Sequence, residues 1–275
     1  GAADMGTGCD TILAQMAAEC MDCSVEDVAV FGADTDASPY DSGSYASSTT
    51  YITGKAVERA CTDLKTQICA IAAGMLDCEP TDVVFEGQQV RRPDTGEAVS
   101  LEQIGYKTQV ASTQAAEATI SHSSPISPPP FMVGMVEIEL DKETGLVTVL
   151  DYMAVVDCGL PINPALARIQ TEGGIVQGIG HTLMEDVRYD HNGRPIGSSF
   201  MQYKLPTRLD MGRLHVEFEH SFEPTGPFGA KSIGEIVINT PAPALTHAIY
   251  RATGVWHREL PITPEKIALS RPEPS

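Results

Sequence analysis

Long apolar runs are missing from this sequence. No stretch approaches the roughly 20 residues a helix needs to cross a bilayer. Basic residues are scarce: 18 Lys and Arg stand against 37 Asp and Glu, a formal net charge of −19. That balance argues against nucleic acid and anionic membrane surfaces as partners, because both need basic patches. The opening residues lack a charged segment followed by an apolar one, so nothing in them reads as a secretory signal. Paired cysteine motifs are nearly absent too. Cys20-Met21-Asp22-Cys23 is a lone CxxC, with no second pair to complete a zinc or iron–sulfur site and no thioredoxin-like surroundings. The cysteines number seven and fall mostly at helix-like positions, which points to reduced thiols and a cytoplasmic location.

What is present is enough for a folded core. The 275 residues are 42% hydrophobic, room for one large domain or two ordinary ones. Helical and strand patterns are mixed along the chain, which predicts an α+β (mixed α/β) fold. Ile12, Leu13, Met16, Ala17 and Cys20 form one apolar helix face, with Asp10 as a possible cap. Val57, Ala60, Cys61, Leu64, Ile68, Ile71, Ala72 and Leu76 recur at helical spacing. Asn163-Pro164 opens a long helix that carries Gly173, Gly174, Gly178 and Gly180. Each interior Gly costs roughly 1 kcal/mol against Ala, so four imply close packing or close approach to a ligand. Val136, Ile138 and Leu140 alternate with Glu137 and Glu139 ahead of a turn at residues 141–145, a hairpin signature. Residues 28–31, 82–85, 201–207 and 214–219 are further strand candidates, and the tail from 271 is polar. Four prolines within 123–130 predict an extended connection that divides a first lobe, 1–127, from a second, 128–275, which carries Glu235.

Chemistry concentrates in Gly229-Ala230-Lys231-Ser232-Ile233-Gly234-Glu235. A run of small residues lets backbone approach a ligand and aims one carboxylate at it. Ile236-Val237-Ile238 follows, and Thr240-Pro241 opens a helix with Thr as cap. Glu235 is therefore expected on a tight, half-buried loop before a helix. Burial raises a carboxylate pKa, as proton abstraction near neutrality requires. A Glu that caps the helix or pairs with Lys231 is the plainer alternative. Gly6-Thr7-Gly8 stands before a helix N-terminus, where outward N–H groups can cradle an anion; an ordinary turn is the alternative there. The run 34–50 is rich in hydroxyls and poor in apolar residues, unusual inside a compact domain unless it serves a function.

Taken in order, Met5-Gly6-Thr7-Gly8, the polar run, Asp157-Cys158-Gly159, Gln170-Thr171-Glu172-Gly173-Gly174 and the closing Gly234-Glu235 resemble one family. It is the molybdenum-binding subunit of the molybdenum hydroxylases, the xanthine dehydrogenase and aldehyde oxidoreductase family, over about residues 2–270. The resemblance implies a molybdopterin-binding domain with long helices packed on mixed sheets. It implies hydroxylation with water-derived oxygen of a nicotinate- or purine-like N-heterocycle or an aldehyde, with Glu235 as general base. The molybdenum-pterin cofactor, in dinucleotide form, would meet Gly6, Thr7 and Gly8, then Ser44, Tyr45, Ala46, Ser47, Ser48 and Thr49. Gln170, Lys231, Ser232 and Gly234 complete the implied set, and the protein supplies no ligand to the metal. The family often has Gln where Thr7 stands and Pro where Ile236 stands. Iron–sulfur clusters and FAD would sit on partner subunits of a hetero-oligomer. The upstream half of the molybdenum subunit, with its Gly-Gly-Phe-Gly segment, would be a further partner. A non-catalytic cofactor-carrying or scaffold subunit, and a reductase of aromatic thioesters on the same scaffold, are the alternatives.

Overall fold

Pro125, Pro128, Pro129 and Pro130 run through a seam in the computed structural model, which describes residues 1–111 and 115–271. The polar tail lies outside the described residues except for Arg271. One unit comprises Gly1–Ser127 and Glu223–Ala230, the other Pro128–Phe222 and Lys231–Ser275. The stretch after residue 128 is thus not one continuous lobe, because eight of its residues rejoin the first unit.

The first unit is built on helices α1 (Cys9–Met21) and α2 (Gly54–Met75), which pack on each other. Gly54 permits that approach: a Cβ there would lie 2.7 Å from Met16 Sδ and 3.0 Å from Pro227 Cγ. Ile68, Ala72 and Ala73 of α2 pack with Val83, Val90, Val99 and Ile104. The last three come from strands β2 (Gln89–Arg91) and β3 (Ala98–Ser100) and helix α3 (Leu101–Val110); β1 (Val84–Glu86) completes an antiparallel sheet. A reciprocal cap starts α3, with Ser100 Oγ accepting from Gln103 N and Gln103 Oε1 accepting from Ser100 N. Residues 28–31 form no strand: no neighbouring strand pairs with them, and Phe31 is exposed. All seven cysteines are free thiols.

The second unit centres on strands β4 (Phe131–Leu140) and β5 (Val147–Asp157), the antiparallel hairpin that alternation predicts. The later strand β8 (Arg213–Phe218) adds to β5 in parallel. Helix α4 (Pro164–Leu183) begins where Asn163 Oδ1 accepts from Leu166 N. The pair β6 (Arg188–Tyr189) and β7 (Pro195–Ile196) flanks an Asn-Gly turn. Residues 201–207 are turn and coil with Met201 exposed, not a strand. Helices α5 (Pro241–Thr253) and α6 (Pro264–Leu269) follow, and Gly254 ends α5 at φ 76°. Tyr152, Ala154 and Val216 on one face of the sheet pack against Ile175 and Ile179 of α4 and Leu245 of α5. No helix of the described residues is long and apolar enough to cross a membrane.

The α4 glycines divide by role. A Cβ on Gly174 would lie 2.2 Å from Val237 Cγ2, and one on Gly178 2.7 Å from Pro241 Cγ. Gly180 is closed off by Glu185 and Pro206, whereas Gly173 faces open space. Packing, not ligand approach, therefore explains three of the four. Neighbouring substitutions should then differ in sign. Gly174→Ala is expected to destabilise by about 1–3 kcal/mol through overpacking, and Gly173→Ala to stabilise by roughly 0.5–1 kcal/mol through helix propensity. Thermal melts of the two variants check this; a shift in the same direction for both would contradict it.

Candidate functional site

Glu235 is held between two anchors. On its N-terminal side, Lys231 N donates to Cys158 O at 2.7 Å and Lys231 Nζ to Asp157 Oδ2 at 2.7 Å. Ser221 Oγ and Gly159 N donate to the other Asp157 oxygen. Burial pushes the Asp157 carboxyl up, but Lys231, Ser221 and the Gly159 N–H together hold it below its ordinary value. On the C-terminal side, the Ile236–Ile238 turn plants Val237 fully buried against Gly174. Thr240 Oγ1 lies 2.8 Å from Tyr152 OH, in space left by Gly134, whose Cβ would sit 2.2 Å from that hydroxyl.

This arrangement corrects three expectations. Glu235 is exposed rather than half-buried, because the inward position in the turn belongs to Val237. Lys231 pairs with Asp157, so its ammonium is already engaged within the unit. Thr240 makes no capping bond to α5, since its hydroxyl is committed to Tyr152. Ser232 and Gly234 are partly buried in the same loop, and Gln170 is partly buried one turn before Gly174 on α4.

In the first unit the outward N–H cradle at Gly6-Thr7-Gly8 is filled from within. Asp4 Oδ1 accepts from Gly6 N at 2.8 Å, Thr7 N at 3.0 Å and Gly8 N at 3.2 Å, and Asp4 Oδ2 accepts from Asp10 N. The Gly6 N–H is foremost in holding this carboxyl below its usual range. Asp4, not Asp10, thus satisfies the start of α1, with Gly8 left-handed at φ 78°. Asp4, Cys9 and Asp10 lie within 4.8 Å of one another. As a metal site this group is poor: Asp4 already accepts four N–H groups, and burial pushes the Cys9 thiol up to about 11, so it stays protonated at neutral pH.

The hydroxyl-rich run forms tight turns ahead of α2 in the same unit. Thr49 Oγ1 donates to Ser44 Oγ at 2.7 Å and Ser48 Oγ to Gly43 O at 2.9 Å. Ala46 and Ser47 both have positive φ, 53° and 56°, a conformation that strains non-glycine residues. Tyr45 is exposed. Tyr51, buried behind the run, bonds through its hydroxyl to Thr225 at 2.7 Å. Sequence reasoning missed Asp4, Tyr51 and the pairing role of Asp157. An Asp two residues before a Gly turn is a readable local signal. The pairs at separations of 74 and 174 residues carry none.

Residues 1–212 match the family described as the molybdopterin cofactor-binding domain. The chain belongs to that family. The "Probable hypoxanthine oxidase XdhD" of Escherichia coli (strain K12) is 37% identical over 269 residues, covering 97% of this chain and 28% of that protein. The 6-hydroxypseudooxynicotine dehydrogenase complex subunit gamma of Paenarthrobacter nicotinovorans is 32% identical, covering 97% of this chain and 35% of its own length. Quinoline 2-oxidoreductase from Pseudomonas putida 86 superposes with a TM-score of 0.87 at 29% identity, over 98% of this chain and 36% of that one. This molybdopterin-binding domain therefore spans about a third of the length of the relatives it matches. Mixed helices and sheets agree with the expected fold class.

The lowered Asp157 carboxyl has a pH consequence. A depressed carboxylate contributes stability that is present above the unfolded value of about 3.9 and is lost as pH falls through the folded value. Asp157→Asn should lower stability by about 1–3 kcal/mol at pH 7. The gap between variant and wild type should close as pH falls below about 4. A gap that persists undiminished at pH 3 in paired thermal melts would rule out the ion pair as its source.

Proposed function

We propose that this chain is the cofactor-binding part of the molybdenum subunit of a multi-subunit hydroxylase, with Glu235 as general base. The substrate is a nicotinate- or purine-like N-heterocycle or an aldehyde. The observation that carries the reading is the fixing of Glu235: a carboxylate presented on an exposed turn yet anchored at Lys231, Val237 and Thr240. General-base work needs that combination of access and fixed direction. The names of the relatives, a hypoxanthine oxidase and a quinoline oxidoreductase, favour N-heterocycles.

The residues of the first unit suit a pterin with a phosphate-bearing tail. Two consecutive non-glycine residues with positive φ, Ala46 and Ser47, persist only where surrounding structure imposes them, and such strain concentrates at ligand clamps. Ser44, Ser48 and Thr49 add hydroxyls, and exposed Tyr45 adds a ring, which suits the dinucleotide form. With its turn amides taken by Asp4, the Gly6-Thr7-Gly8 loop meets the cofactor through shape and the Thr7 hydroxyl. In the second unit Gln170, Ser232 and Gly234 are the residues read as facing the cofactor, and Lys231 acts as a strut toward Asp157. When bound, the molybdenum-pterin group supplies the two-electron oxidation and the oxygen transfer. Glu235 takes up the proton released. Other parts of the complex supply the upstream half of the subunit, the iron–sulfur clusters and FAD.

In the assembled complex, Glu235→Gln should leave molybdenum content unchanged and slow turnover by about 10²–10⁴-fold. Turnover within a few-fold of wild type would instead favour a cofactor-carrying subunit that makes no use of Glu235. Replacing Ser47 and Thr49 together by Val should lower the pterin content of the purified complex. Full occupancy in that variant would assign residues 44–49 to a plain surface turn.

A further inference from the structure

The lone Cys20-Met21-Asp22-Cys23 motif finds its partner on the neighbouring helix. Buried Gly54, Cys61 and Ile68 recur every seven residues along α2 and so form one stripe. Helix α1 lies along that stripe. Met16 meets Gly54 at its start, and Met21 packs against the cluster that holds Ile68. Cys20 falls between those two contacts, and its thiol donates to the Cys61 sulfur. Asp22 is left-handed at φ 49° and ends the helix, so Cys23 lies past the packed face. Two thiols therefore face each other across a helix pair that a glycine brings close.

Their surroundings divide the roles. The hydrogen bond from Cys20 holds the Cys61 thiol below its ordinary value; burial opposes this, and the Lys65 ammonium one turn on adds to it. Cys20, donating to Cys61 and itself half-buried, keeps its proton. Burial pushes up the thiols of Cys9, Cys69 and Cys158. A thiolate is the form of cysteine that peroxide oxidises, and a second thiol in contact converts the first product into a disulfide. We propose that Cys20 and Cys61 are an oxidisable thiol pair that hydroperoxides convert to a reversible disulfide joining α1 to α2. The Cys61 thiolate attacks one peroxide oxygen, the O–O bond breaks and hydroxide leaves. Cys20 gives its proton to that hydroxide, and its sulfur displaces a second hydroxide from the Cys61 sulfenic acid. Two thiols lose two electrons and two protons, and one peroxide becomes two waters. The new bond closes residues 21–60 into a ring that contains the hydroxyl-rich run with its strained Ala46 and Ser47. That run gains a covalent tether at its base, one that added thiols remove. The reaction needs neither the cofactor nor Glu235.

The test takes the protein as purified, in its complex, reduced and then exposed to hydrogen peroxide. Remaining thiols are blocked with N-ethylmaleimide during unfolding, and a digest is read by mass spectrometry without reduction. A linked peptide pair carrying Cys20 and Cys61, lighter by two hydrogens than the two thiol peptides, is expected as the main product at these positions. Dithiothreitol should return both as thiols. Cys23→Ser should leave the linked pair in place. In Cys20→Ser, which keeps the size and polarity of the side chain, Cys61 has no thiol to resolve it, so its sulfinic acid should rise at least about tenfold over the wild type. The wild-type measurement stands by itself if that variant folds poorly. Recovery of Cys20 and Cys61 as maleimide adducts after peroxide would overturn the proposal. So would their separate oxidation to sulfinic acids in the wild type, or a disulfide that joins Cys23 to either one.

Discussion

The position of Glu235 depends on how closely one helix approaches the turn behind it. Gly174 and Gly178 remove the side chains that would hold α4 away, so Val237 and Pro241 sit directly on the helix backbone. With Val237 drawn inward, a turn of about three residues per revolution directs its neighbours elsewhere. The Tyr152–Thr240 bond and the Lys231–Asp157 pair then fix the two ends. Each anchor lies in the sheet or in the residues that end it. The backbone that bears Glu235 is consequently held by the core of its own unit, a rigid way to carry a side chain.

Elements with strong periodicity were legible from residues alone. The apolar stripe of α2, the alternating β4 strand and the Asn163-Pro164 opening of α4 all signal locally, and each forms where its pattern predicts. The strand expected at 28–31 and that at 201–207 failed for a shared reason. A short apolar run becomes a strand only when another strand offers it a ladder, and that partner is not encoded nearby. The glycine-rich and hydroxyl-rich stretches located the candidate loops. Their internal arrangement was hidden, because a carboxylate such as Asp4 competes for the same N–H groups an anion would use. Glu235 was expected to be half-buried because apolar residues follow it. The structure gives that burial to Val237 and leaves the acid outside.

Electrostatics in this chain is local despite the large net charge. Most acids with a lowered pKa owe it to backbone N–H groups or hydroxyls in their own turn, as Asp4, Asp141 and Asp210 do. Asp157 differs in drawing on groups 64 and 74 residues away. It is therefore the carboxylate whose protonation would loosen long-range structure rather than one turn.

The return of residues 223–230 to the first unit bears on how the chain is made. Tyr51 meets Thr225 across 174 residues, and Gly54 packs on Pro227. On a ribosome, α1, α2 and the small sheet emerge early, yet their unit lacks its last segment until residue 230 has been synthesised. By then β4, β5, α4 and β8 are already available to fold between the two halves. Closing so long a loop carries an entropic cost that grows only slowly with length, but it delays the first unit's completion. The second unit waits longer still, because Leu245, Ile249, Ile262 and Ile267 complete its core, so neither unit can finish until the strands and helices of both have been made.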